Sequence, residues 1–185
     1  MAACAVFVAG FEGLSTTAYH DNLAHGIPTV CYGETEGVRM GDHYSKLQCL
    51  DMLENKLPRY WSEIEPHILV KLSDNEKIAY TSFAYNLGSG AFNHSSFLKK
   101  LNKGDHVGAC RGMLSYDHAS SVRVKGLTRR RNAEDRLCET IVRQGAPVIV
   151  AVPLTPKAPE YAPTPVCHGW WVFKWHCVTV NGKPI

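Results

Sequence analysis

Apolar residues recur at helical spacing from position 45 to position 142. The pattern predicts one long helix over residues 45–68, which Pro58 kinks or ends because proline lacks the backbone N–H of a helical residue. The segment from Ser73 to Glu76 has the form of a capping box, which marks a helix start. Further helices are predicted to begin at Ser95 or Ser96, at Asp105 and at Leu127, the last ending at Val142.

The first 37 residues follow a different pattern. Residues 2–13 are almost wholly apolar and predict a short helix that ends at Gly13. Glycine and proline then divide residues 15–37 into short pieces rich in β-branched and aromatic residues, which is typical of a small, irregular hairpin sheet. A hairpin followed by several helices predicts an α+β fold.

The composition changes at Ala146. Residues 146–165 contain six prolines, which favours an extended linker over a packed element. The last twenty residues are aromatic and basic, and they are too few to bury a core of their own. We therefore expect a folded domain over 1–145, a proline-rich linker over 146–165 and a short tail over 166–185.

Charge and cysteine content narrow the classes of function. A net charge of +3 is too small to indicate nucleic-acid binding. The chain has no CxxC pair and no HExxH motif, so no metal and no cofactor are expected. Cys49, Cys110 and Cys138 fit apolar helical faces as small hydrophobic residues. Cys167 and Cys177 could form a disulfide in an oxidising compartment.

The arginines at 129–131 resemble a nucleic-acid patch at first sight. Arg130 and Arg131 each precede an acidic residue by four positions, Glu134 and Asp135 respectively. Opposite charges at this spacing are neighbours on a helix surface. The pattern therefore favours an ion-paired helix face.

Two carboxylates and a hydroxyl near the start of the chain suggest glycosidic chemistry. Glu12 lies at the predicted end of the first helix, and Asp21 and Thr29 lie in the hairpin segment. Cleavage of a glycosidic bond needs one protonated acid for the leaving oxygen and one ionised carboxylate that holds or activates water. Glu12 and Asp21 are the candidates for these two roles.

These residues belong to a longer ordered set that resembles the phage-type lysozymes, or endolysins, of glycoside hydrolase family 24. The resemblance runs from about Phe7 to Cys138, most of the chain. Each piece is weak alone, but the pieces in this order are specific. They are Phe11-Glu12-Gly13, Ala18-Tyr19-His20-Asp21, Gly26-Ile27-Pro28-Thr29-Val30-Cys31-Tyr32-Gly33-Glu34-Thr35, Tyr85-Asn86-Leu87-Gly88-Ser89-Gly90-Ala91-Phe92, Asn102-Lys103-Gly104-Asp105, Gly126-Leu127 and Arg130-Arg131 with Glu134.

The resemblance implies a lysozyme-like fold, with an active-site cleft between a small hairpin lobe and a larger helical lobe. It implies that Glu12 is the general acid, that Asp21 positions or activates the water and that Thr29 helps to hold it. Relatives commonly have five residues between this Asp and Thr, whereas here residues 22–28 intervene. Further residues expected to bind substrate are Tyr32, Tyr85 and Asn86.

The expected substrate is therefore peptidoglycan, cut at the β-1,4 bond between N-acetylmuramic acid and N-acetylglucosamine during host cell lysis. One alternative is a lytic transglycosylase, which cuts the same bond but needs no water-activating Asp. Another is a wall-binding protein without catalysis, which suits the aromatic tail better than the body of the chain.

The sequence also suggests where the protein acts. Its longest early apolar run, residues 2–11, is too short to span a bilayer and follows no basic segment, so neither a signal peptide nor a transmembrane segment is expected. We expect a monomer that stays in the host cytoplasm until a partner pore protein, a holin, releases it to the periplasm and cell wall.

Overall fold

The computed structural model describes residues 1–21 and 26–140, together with the backbone of residues 166–168 and 176–178. The proline-rich segment 146–165 lies outside the described residues. The described tail segments, β5 (Val166–His168) and β6 (His176–Val178), form an antiparallel pair in which Cys167 is the register partner of Cys177. The predicted Cys167–Cys177 disulfide concerns side chains outside the described part.

The chain begins with helix α1 (Ala2–Ala9), which ends four residues earlier than the predicted helix over 2–13. The backbone turns at Gly10, whose N–H bonds to the Phe7 carbonyl, since glycine is unfavourable inside a helix. Glu12 therefore lies in the turn beyond the helix and not at its last residue. One face of α1 is buried, including Cys4, Ala5 and Val8.

The predicted hairpin follows as strands β1 (Ser15–Asp21) and β2 (Ile27–Cys31). The strands are antiparallel, with Tyr19 opposite Thr29 and Asp21 opposite Ile27. Ala18 and Val30 pack with Cys49 of the next helix, so the hairpin has its own small core. A second hairpin, β3 (His118–Ala119) and β4 (Val122–Arg123), had no counterpart among the predicted elements.

Helix α2 (Lys46–Ile64) contacts both the hairpin and the helical part of the molecule. Ser45 caps it in a capping box, and a 3₁₀ turn over Glu65–His67 extends it. Pro58 does not end the helix, because the helix is continuous through this residue. Pro58 is exposed, so the carbonyl that loses its partner can bond to water, while buried Leu57 and Ile64 hold the helix in place.

The remaining helices form the larger part of the fold. Ser73 caps the helix after it in the predicted capping box, and Ser95 and Asp105 cap two others. Gly88, with φ +87°, ends the helix that begins after Ser73, and a short helix that was not among the predicted elements follows directly. The bounds are α3 (Asp74–Leu87), α4 (Ser89–Asn93), α5 (Ser96–Leu101), α6 (His106–Gly112) and α7 (Lys125–Glu139).

The largest core lies among these helices. Phe83, Phe92 and Phe97 have no exposed surface and meet edge to face, with Phe83 and Phe97 ring centroids 5.0 Å apart. A second cluster joins α1 to α2 and α3 through Val8, Leu57 and neighbouring residues. The fold is therefore α+β, as predicted, with α2 packed between hairpin and helices. No helix in residues 1–21 and 26–140 is long and apolar enough to cross a membrane.

The interpretation of three cysteines as small hydrophobic residues is wrong. Cys31 is bonded to Cys49, and Cys110 is bonded to Cys138, whereas Cys4 is a free buried thiol. The first disulfide ties the end of β2 to α2, and the second ties α6 to α7. Cysteines 18 and 28 positions apart give no spacing signal in the sequence, because the helix faces that bring them together are set by tertiary packing.

Candidate active site

Glu12 lies in the turn after α1, where its side chain is 20% exposed and contacts α7. Its Oε1 accepts a hydrogen bond of 2.6 Å from Nη1 of Arg130. The guanidinium of Arg130 also lies over the ring of Phe11, 5.4 Å from its centroid. Phe11 thus packs on the same arginine that binds the carboxylate of Glu12. Together these two contacts fix the direction of the Glu12 side chain.

Arg130 belongs to a buried network that joins α7 to α3. Its Nε donates to Glu134, which has no exposed surface, and its Nη2 donates to the carbonyl and hydroxyl of Ser82. The Ser82 hydroxyl in turn donates to Glu134 over 2.7 Å. Burial opposes the charge of Arg130, but the carboxylates of Glu12 and Glu134 outweigh it and raise the pKa of this arginine. Arg130 is therefore a fixed cation beside Glu12.

Asp21 and Thr29 lie on paired strands of the hairpin. Thr29 is opposite Tyr19, and Asp21, two residues along, is opposite Ile27. Cross-strand partners share one face of a sheet and alternate residues share that face too, so Asp21 and Thr29 are diagonal neighbours on it. Thr29 is 3% exposed and donates its hydroxyl to the carbonyl of Ile27. Burial, and then the charge of Asp21, raise the pKa of Tyr19 between them.

Tyr85 connects the helical part to the hairpin. Its hydroxyl donates to the carbonyl of Tyr32, just after β2, over 3.1 Å, and its ring meets Tyr60 edge to face. Burial, and then the nearby charge of Glu12, raise the pKa of Tyr85. The two tyrosines predicted to bind substrate are therefore in direct contact, and one of them lies within electrostatic reach of the predicted acid.

A small cavity of about 10 Å³ lies beside this contact, next to the Cys31–Cys49 disulfide. Its wall includes Glu34 and Lys56, which form an ion pair of 3.1 Å. Burial opposes the charge of Glu34, but the N–H groups of residues 35 and 36 and the Lys56 ammonium lower its pKa. This pair ties the segment after β2 to α2, as the disulfide does.

Asn86, the third predicted binding residue, is partly exposed at the end of α3. Its Oδ1 accepts a hydrogen bond of 2.9 Å from Nη2 of Arg131. Arg131 has no exposed surface and also lies 2.9 Å from Glu134. Because the oxygen of Asn86 is engaged, its amide N–H₂ is the group turned away from the arginine. Asn86 is thus linked to Glu12 through Arg131, Glu134 and Arg130.

Arg130 and Glu134 form the predicted ion pair, and both residues are buried. The predicted pairing of Arg131 with Asp135 is wrong, because Arg131 pairs with Glu134 at a spacing of three. The contact of Arg130 with Glu12 was missed. Its sequence signal is the presence of Arg130, Arg131 and Glu134 on the helix face that also carries Leu127 and Cys138, which suits a network inside the protein.

The part of the chain that contains these site residues is similar to a known family and to known proteins. The profile of the Phage lysozyme family matches residues 9–134, which include Glu12, the hairpin and most of α7. A SAR-endolysin of Enterobacteria phage PA-2 is 35% identical over 130 residues, covering 70% of this chain and 78% of the relative. A SAR-endolysin of Pseudomonas phage phiKMV is 35% identical over 142 residues, covering 75% and 87%.

Solved structures share the fold. The muramidase domain of SpmX from Asticaccaulis excentricus superposes with a TM-score of 0.69 at 26% identity, covering 75% of this chain and 96% of that one. The endolysin from Escherichia coli O157:H7 phage FAHEc1 gives a TM-score of 0.66 at 29% identity, covering 74% and 90%. The lysozyme-like fold predicted from the sequence is confirmed.

Proposed function

The chain belongs to the Phage lysozyme family and is a glycoside hydrolase of the muramidase type, and on this premise we propose that Glu12 is its catalytic acid. Oε1 of Glu12 is held by Arg130, so Oε2 is the oxygen that carries the proton to the leaving group. The bond cut is the β-1,4 link between N-acetylmuramic acid and N-acetylglucosamine. The observation that carries this assignment is the fixed orientation of Glu12 by a buried guanidinium.

Asp21 and Thr29 have the second role in this proposal. They share one face of the hairpin, and a water between them would donate one hydrogen to Oγ1 of Thr29, whose own O–H is bonded to the Ile27 carbonyl, and the other to Asp21. The ionised carboxylate removes a proton from the water, and this water attacks the sugar from the face opposite the acid. The reaction then proceeds with inversion, for which the two carboxyl groups are typically about 6.5–9.5 Å apart.

Tyr32, Tyr85 and Asn86 are proposed to bind the sugar. The bond from Tyr85 to the Tyr32 carbonyl holds two rings at the junction of hairpin and helices. Asn86 presents N–H donors, which suit acceptors such as the carbonyl of an N-acetyl group. The proposed reaction needs no cofactor.

Turbidity loss of purified wall is the direct test of the acid. Glu12→Gln keeps the size of the side chain but removes its titrating proton, and we expect a loss of at least about 100-fold in rate. Glu36→Gln, an exposed carboxylate in the turn after β2, is the matched control and should lyse as wild type does. Lysis by Glu12→Gln at the wild-type rate would remove Glu12 from this role.

The products separate hydrolysis from the transglycosylase alternative. Water held by Asp21 gives a reducing N-acetylmuramic acid end, whereas a transglycosylase closes a 1,6-anhydro ring. Mass spectrometry of the digested wall distinguishes the two by one water, and an anhydro end would overturn the hydrolytic role of Asp21. Truncation before Ala146 tests the wall-binding alternative, since a binding tail would be needed for adsorption to wall.

We also propose that the protein is a monomer that acts beyond the inner membrane after release by a holin. The disulfides Cys31–Cys49 and Cys110–Cys138 support action in an oxidising compartment, because the cytosol keeps thiols reduced. Expression with and without a holin gene tests the route: lysis at the same time in both cultures would show that no such partner is needed.

A further inference from the structure

A cavity of about 230 Å³ lies between the second hairpin and α7. A cavity of about 150 Å³ is enough to bind benzene, so this one has room for a small organic group. Its lining is almost wholly polar or charged, unlike the aromatic core beside it. The lining residues are Leu114, Asp117, Arg123, Thr128, Arg131 and Asn132.

The cavity lies on the other side of α7 from Glu12. Arg130 faces Glu12, whereas Thr128 and Asn132 are two residues before and after it and so project from the opposite flank of the helix. Arg131 reaches both sides, because its Nη2 donates to Asn86 while the residue also lines the cavity. The cavity is therefore adjacent to the proposed sugar-binding residue but separate from the acid.

Arg131 supplies the observation that indicates a ligand. It has no exposed surface, and among the described residues its Nη1 has no hydrogen-bond partner. A buried guanidinium N–H without a partner is costly, and native structures usually satisfy such a group with protein, water or ligand. Burial, partly offset by the charge of Glu134, lowers the pKa of Arg131 to about 10, so it still carries its charge at neutral pH.

The other charges at the cavity are already paired. Asp117 is 3% exposed and binds Thr128, Arg123 and His118 at 2.6–3.0 Å. Burial opposes its charge, but these partners lower the pKa of Asp117 and keep it ionised. Arg123 contacts Asp117 through Nε, and its side chain is 69% exposed, so the end of its guanidinium is accessible to a ligand.

Charge balance favours an anion. Glu134 is shared by Arg130 and Arg131, and Glu12 supplies the second negative charge. When Glu12 holds the proton that it must donate, the two arginines face a single carboxylate, and the network has an excess positive charge. A negative group beside Arg131 would offset this excess in the form of the enzyme that is ready to react.

We propose that this cavity binds a carboxylate of the peptide part of peptidoglycan, with Arg131 and Arg123 as the cationic partners and Asn132 as a further donor. Arginine binds carboxylates through paired N–H groups. A glycan held at Asn86 would thus have its peptide anchored on the far side of Arg131. This inference rests on the proposed function, and it names the part of the substrate that the cavity recognises.

Calorimetry with the full chain tests the chemistry of the ligand. N-acetyl-D-alanine should bind, while the neutral N-acetyl-D-alaninamide should not. Arg123→Gln should weaken binding of the acid roughly tenfold, since a hydrogen bond to a charged group is lost. Arg136→Gln, an exposed arginine further along α7, removes the same charge and should leave the affinity unchanged. Equal binding of acid and amide, or tighter binding of inorganic phosphate than of the acid, would overturn the proposal.

Hydrolysis of two substrates then separates this inference from the proposed function. On wall with intact peptides, Arg123→Gln should raise KM roughly tenfold and leave kcat unchanged. On glycan strands stripped of peptide by an amidase, the variant and the wild type should be equal. An equal KM on intact wall contradicts the peptide site while leaving the assignment of Glu12 intact. If the wild-type protein hydrolysed neither substrate, the result would instead contradict the proposed function.

Discussion

Nη1 of Arg130 lies 2.6 Å from Oε1 of Glu12, although 118 positions separate the two residues in the chain. The contact joins the turn after α1 to α7 and makes the orientation of the proposed acid depend on the far end of the folded domain. Arg130 is itself held by Glu134 and Ser82, so it is placed before substrate arrives. Catalytic groups gain from such fixed partners because little reorganisation is left for the reaction.

Arg130→Lys tests this positioning role. Lysine keeps the charge but cannot bind Glu12, Glu134 and Ser82 together, so Glu12 loses its fixed direction. We expect kcat to fall roughly 100-fold with little change in KM, and the free energy of unfolding to fall by about 2 kcal/mol. Steady-state kinetics on soluble wall fragments and urea unfolding measure the two effects.

Arg129→Lys is the matched control for this change. Arg129 is the exposed neighbour that lies over the same Phe11 ring, 5.6 Å from its centroid, but it does not bind Glu12. We expect nearly wild-type kcat for this variant. If Arg130→Lys also kept wild-type kcat while losing stability, Arg130 would be structural only.

Much of the fold follows from local sequence. Ser73 with Glu76 caps α3 as predicted, and the β-prone segments that contain Tyr19 and Thr29 form the expected hairpin. These elements are specified by contacts a few residues apart. The second hairpin was missed because its strands are two residues each and its turn is Ser120-Ser121, without the glycine that usually marks such turns.

The site divides in the same way. Glu12, Asp21 and Thr29 stand in an ordered motif near the start of the chain, so sequence was enough to single them out as candidates. Arg130 and the two disulfides depend on which helix faces meet, which a single sequence does not encode locally. Pro58 also shows the effect of tertiary packing, since the burial of its neighbours overrides the preference of proline to end a helix.

The pH dependence of stability should include a contribution from Glu34. Its folded pKa is lowered from an ordinary 4.5, so its contribution is fully present above pH 4.5 and is lost as pH falls through the folded pKa. Glu34→Gln should therefore be less stable than wild type at pH 6. The difference in unfolding free energy should shrink progressively below pH 4.5. Thermal unfolding of both proteins between pH 3 and pH 7 measures it, and a difference that grew on acidification would contradict the sign.

The turn between β3 and β4 should gain stability from glycine. Ser120 and Ser121 have φ of +47° and +69°, a left-handed conformation that costs a non-glycine residue about 1 kcal/mol. Ser121→Gly should raise the free energy of unfolding by up to about 1 kcal/mol, or a few degrees in Tm. Ala119→Gly, at the end of β3 just before the turn, is the control. This change should destabilise the protein, because it adds conformational freedom to the unfolded chain and relieves no strain in the folded one. Equal losses in both variants would show that the turn is not strained.

The two disulfides should differ in their effect on activity. Closing loops of 18 and 28 residues stabilises the folded chain by about 3 kcal/mol in each case, so Cys31→Ser/Cys49→Ser and Cys110→Ser/Cys138→Ser should lose similar stability. Only the first pair anchors the strand that carries Thr29 to α2. At a temperature where both variants are folded, we expect the first to lose roughly tenfold in wall hydrolysis and the second to keep its rate. Circular dichroism sets that temperature, and a similar rate loss in both variants would mean that the Cys31–Cys49 bond stabilises the fold without positioning the hairpin.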